Sequence, residues 1–97
     1  MTSGFARTNE AAALVQRTAR HFAHKVPVSD DGTTTKIDTR FGVCALRPLP
    51  TGVEIALEAA DAESELRLQH VIDSHLQRFA RTPLTIEWLD HAASAGL

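Results

Sequence analysis

Ninety-seven residues, 43% of them hydrophobic and 23% charged, with a formal net charge of −2, describe a single domain built on one core. That balance excludes a disordered chain, and no apolar run reaches the roughly 18 residues of a membrane-spanning helix. Residues 1–8 contain no apolar signal region and Cys44 is the only cysteine, so no intrachain disulfide forms and a reducing cytoplasm is the expected location.

Taken in chain order, a short strand is expected over residues 5–8. Asn9 then reads as the N-cap of a helix running to about residue 24, with Glu10 beside its positive end. At 100° per residue, Ala11, Val15, Thr18, Ala19 and Phe22 share one sector, with Leu14 on its flank and Val26 continuing it. Pro27 ends that helix. Residues 25–29 and 33–39 flank Asp30-Asp31-Gly32, a hairpin signal. A further strand spans 41–46, where Gly42 marks a bulge or a close backbone approach. Pro48 to Gly52 reverses the chain again. Val53, Ile55, Leu57 and Ala59 then alternate with Glu54 and Glu58, the pattern of a strand with one wet face.

Asp61 caps a second helix, acidic at its start, that runs to about Ala80. Its apolar stripe reads Leu68, Ile72, His75 and Phe79, with Val71 and Leu76 on the shoulders. A last strand over 84–88 follows Pro83, and residues 92–97 read as a frayed tail. The fold class is α+β: two helices on one face of an antiparallel sheet, in the order β-α-β-β-β-β-α-β, as a single domain over residues 1–97.

Residues 1–50 carry seven Lys and Arg against four Asp and Glu, and residues 51–97 carry three against eight. The basic side chains are scattered and most of the five aromatic residues fall at core positions, so nucleic acid is not an expected partner.

Four strings, HFAHK (21–25), RFGVC (40–44), EAADAESELRLQHVIDSHLQRFA (58–80) and LTIEW (84–88), together resemble the bacterial family known as domain of unknown function 2218. The resemblance covers nearly the whole chain and carries over no catalytic residue. It implies a link to iron or siderophore use, because some relatives stand beside, or are fused to, proteins resembling siderophore-interacting flavin reductases; such a reductase or a small ligand is the partner it suggests.

The histidines carry what chemistry the residues offer. Arg17, His21 and His24 form an i, i+4, i+7 column near the end of the first helix, where cations suit the dipole. His75 stands on an apolar stripe, either as a satisfied core histidine or as the lining of a pocket where the two helices and the sheet meet, shared with His21. His70 and His91 are expected at the surface. Cys44 faces either the core or the open side of its sheet, depending on register. There is no catalytic constellation, phosphate loop or dinucleotide fingerprint. The expected function is a non-enzymatic binding or accessory module with candidate ligand contacts His21, His75 and Arg17. One alternative is a metal-binding protein or metal-dependent enzyme using His21, His24, His75 and Cys44; the other is an interaction subunit that dimerises through an uncovered sheet face.

Overall fold

The structure, a computed structural model, describes residues 2–90. The elements are β1 (Thr2–Arg7), α1 (Ala11–Ala23), β2 (Val28–Asp30), β3 (Thr35–Thr39), β4 (Gly42–Leu49), β5 (Gly52–Glu58), α2 (Ala62–Phe79) and β6 (Ile86–Asp90), in the order the sequence implies. All six strands join one antiparallel sheet, ordered β2-β3-β4-β5-β1-β6. No helix among the described residues is long and apolar enough to cross a membrane.

Both helices lie on one face of the sheet. Strand alternation sends Ala6, Ile37, Cys44, Leu46, Val53, Ile55 and Leu57 toward them, and each of these residues is buried. From α1 come Ala11, Leu14, Val15 and Phe22, and from α2 Leu68, Ile72 and Leu76. Thr18 is fully buried on α1 and satisfied there, its Oγ1 donating to the Leu14 carbonyl at 2.8 Å.

Several local expectations are corrected. The N-cap position of α1 is held by Glu10 and not Asn9; it makes no side-chain capping bond, and Thr8 Oγ1 instead accepts the Glu10 N–H at 3.1 Å. Asp61 does cap α2, accepting the Ser64 N–H at 2.7 Å, and this bond holds its carboxyl below the usual carboxylate range. The buried line of α2 is Leu68, Ile72 and Leu76, leaving Val71, His75 and Phe79 half-buried. Leu76 therefore belongs to the core and His75 to the shoulder, the reverse of the single-stripe reading. The reason is geometric: one line of α2 points down at the sheet and an adjacent line points sideways at α1, and a moment averaged over the helix merges the two.

Strand β4 runs on through Pro48 and Leu49, so the reversal into β5 is confined to Pro50 and Thr51. Proline is tolerated there because the β3 ladder ends at Leu46, which frees that side of β4 from pairing. The β2–β3 connection spans residues 31–34, with Gly32 at φ 98° and Asp31 Oδ1 accepting the Thr33 and Thr34 N–H groups. Gly42 has φ 145°, and a Cβ there would collide with the Glu58 carbonyl oxygen and meet Ala59 at 3.0 Å, which makes it a close backbone approach. Trp88 fixes the last strand: its ring lies over Gly4, and its indole N–H donates to Asp73 Oδ2 on α2 at 2.9 Å. The expected tail at 92–97 and His91 lie outside the described residues.

Candidate functional site

Positions that ascend along α1 meet positions that descend along α2, as antiparallel helices require. The His21 ring centroid lies 5.1 Å from that of His75 and 5.2 Å from that of Phe79, and Phe22 lies 4.7 Å from His75. Arg17, one turn before His21, donates from Nε to the Phe79 carbonyl at 3.0 Å. This is one of the last carbonyls of α2, which has no intrahelical partner, so the guanidinium acts as a C-terminal cap. Arg17 Nη2 is buried with no acceptor among the described residues. Three of the candidates, Arg17, His21 and His75, are thus brought together between the helix ends.

His75 Nδ1 lies 2.6 Å from the Val71 carbonyl. A carbonyl only accepts, so Nδ1 carries the proton and the ring is held with Nε2 as its remaining polar atom. The core-histidine and pocket readings both apply in part: one nitrogen is satisfied within α2 and the ring is half-buried against α1. His21 titrates below its ordinary 6.5, first through desolvation and then through His75, Lys25, Arg78 and His24. Each charged group acting on it is cationic.

The other candidates stay apart. His24 is exposed at the C-cap of α1, and His70 is exposed on α2. Cys44 faces the helices from within the sheet, paired with Ile37 and Leu57, and burial pushes its thiol well above the usual range. Among the described residues no three His, Cys, Asp or Glu side chains are grouped so as to hold a metal ion, so the set His21, His24, His75 and Cys44 does not assemble.

The field decides what this cluster suits. Each helix C-terminus contributes about half a negative charge. Against two such ends stand three permanent cations, Arg17, Lys25 and Arg78, leaving a surplus of roughly two positive charges before any histidine is protonated. Helix dipoles alone therefore do not account for the basic side chains gathered here. A surplus of this sign repels a divalent metal and attracts an anion, and the Phe22 and Phe79 rings supply apolar faces beside it. The convergence of Arg17 with the two histidines was visible in the sequence only as separate helical spacings. The Phe79 ring was legible as part of the α2 stripe, but its main-chain carbonyl, which Arg17 caps, is an atom for which sequence carries no signal.

Two concavities lie on the sheet face opposite the helices: a groove of about 640 Å³ lined in part by Phe5, Ala45, Ala56 and Leu89, and one of about 380 Å³ lined in part by Lys36, Val43 and Glu58.

Comparison with solved structures finds the NMR structure of PA4090 from Pseudomonas aeruginosa, to which the chain is 33% identical over 91% of its own length and 94% of the other, with a TM-score of 0.74. No curated protein matches the chain. The model of the family described as an uncharacterised protein conserved in bacteria, DUF2218, matches residues 4–89. With nearly every element of the fold inside that match, the chain belongs to this family.

Proposed function

We propose that the domain is a non-enzymatic binding module that takes a small anion, planar and aromatic by preference, between the ends of α1 and α2. The observation that carries the reading is the buried Arg17 Nη2 without an acceptor, set beside two converging imidazoles in a field of surplus positive charge. A buried unpaired donor costs about 1 to 3 kcal/mol, and an anionic oxygen entering between the helix ends offsets that cost. The rings of His21, Phe22, His75 and Phe79 favour a flat ligand over a compact one.

A role in iron or siderophore use, which the family resemblance suggests, fits this chemistry: catecholate and aryl-carboxylate groups of siderophores are flat anions. In the same reading, a siderophore-interacting flavin reductase is a candidate partner that would receive or deliver such a ligand. The test is an NMR titration of the imidazole resonances with dihydroxybenzoate, its ferric complex, inorganic phosphate and zinc chloride, each added separately. Dihydroxybenzoate should move the His21 and His75 signals, and the Arg17→Met variant should lose that response. A response to zinc alone would replace this reading with the metal-binding one, and silence toward all four would leave the cluster as helix packing.

A further inference from the structure

We propose that the uncovered face of the sheet is the surface on which a second copy of this chain packs, about a two-fold axis that runs along the seam between β5 and β1. The helices leave this face bare, and its outward residues fall into rows set by the strand register. Across β4, β5, β1 and β6, one row reads Ala45, Ala56, Ser3 and Leu89, and the next reads Arg47, Glu54, Phe5 and Glu87. The first row is small in the middle and ends on a leucine that is 54% exposed, one of two large exposed apolar side chains among the described residues. The 640 Å³ groove lies over these two rows.

A two-fold axis parallel to the strands turns each row onto itself while exchanging β4 with β6 and β5 with β1. Leu89 of one copy then stands over Ala45 of the other, Ala56 over Ser3, and Arg47 opposite Glu87, each pairing occurring twice. The large side chain meets the small one and the cation meets the anion. Arg47, already 3.4 Å from Glu54 within its own chain, becomes the bridge between two carboxylates. An axis perpendicular to the strands, through the Ala45 row, would instead exchange rows and set Glu54 against Glu58, a like-charge contact. In the Ala45 row the small side chains at the centre suit the spacing of about 10 Å at which sheets stack, with strands of the two sheets within about 30° of each other, while in the next row the same axis sets Glu54 of one copy over the Phe5 ring of the other. Four strands at about 4.8 Å and five residues per strand make a face of about 19 by 17 Å. At about 320 Å² per partner this lies below the standard size of stable interfaces, in the range of weak and transient contacts, so the dimer should dissociate on dilution.

Sedimentation velocity over a wide concentration series tests the proposal on the full chain. The wild type should pass from monomer to dimer. Arg47→Glu and Glu87→Arg should each weaken the dimer by at least about tenfold, while the double exchange should restore it. Leu89→Ser, at an exposed position, should weaken it without altering charge, and circular dichroism confirms that each variant is folded. A wild type that stays monomeric throughout overturns the proposal. So does a dimer indifferent to both single reversals and to Leu89→Ser, which would place the contact on another surface such as the β6 edge.

Discussion

Replacing Arg17 by methionine sets two nearly equal effects against each other. The substitution keeps a long apolar stem against the neighbouring helix and removes the guanidinium. What is lost is the Nε–H bond to the Phe79 carbonyl at 3.0 Å, a hydrogen bond from a charged donor worth about 1.5 to 3 kcal/mol. What is relieved is the buried Nη2 without an acceptor, a penalty of about 1 to 3 kcal/mol. The difference places Arg17→Met within about 1 kcal/mol of the wild type, a change of at most several degrees in Tm for a domain of this size. Arg17→Ala also discards the stem and should cost more. Urea denaturation followed by the fluorescence of the only tryptophan, Trp88, measures this directly, with the m-value unchanged if the transition stays two-state. The same samples are titrated with dihydroxybenzoate, where Arg17→Met should bind at least about tenfold more weakly through loss of its charged donor. A loss of stability above about 2 kcal/mol, with anion binding intact, would show that Arg17 serves only to cap α2 and would refute the reasoning.

Four further outcomes follow from the same structure. Because His21 titrates below 6.5 in the fold, the unfolded chain binds more protons between the folded value and 6.5, so stability should fall as pH drops through that window and level off below it; His21→Gln should flatten the slope in pH-dependent denaturation. Anion binding should draw the His21 value back upward, seen as proton uptake in calorimetry repeated in buffers of different ionisation heat. Cys44, buried and with its thiol shifted upward, should resist alkylation in the native state and react at a rate that tracks global unfolding in a thiol-quench assay. Gly32→Ala meets nothing within 4 Å and carries only the strain of positive φ, about 1 to 3 kcal/mol, whereas Gly42→Ala adds a collision with the Glu58 backbone and should cost clearly more; equal losses in urea midpoints would show that strain alone sets both.

Much of the fold is legible along the chain because its signals are local. The alternation of Val53, Ile55 and Leu57 with Glu54 and Glu58 fixes both β5 and its inward face, and those three apolar residues are buried as the period requires. Asp61 and the acidic turn after it start α2 for reasons contained in four residues. Where a neighbour in space supplies the reason, the local reading fails. Pro48 looks like a turn residue until β3 is seen to end short of it. Leu76 and His75 exchange places because α2 has two packing directions, and only the position of α1 tells them apart.

The candidate site divides along the same line. Residue types and helical spacing were enough to single out Arg17, His21 and His75, and to leave Cys44 hanging on its register. Their meeting, the carbonyl that Arg17 caps, the donor it leaves unpaired and the surplus of positive charge depend on how two helices cross above the sheet. Periodicity reports which way a side chain points from its own element. Partners separated by 62 residues, as Arg17 and Phe79 are, are chosen by packing, and with them the sign of the local field and the class of ligand it attracts.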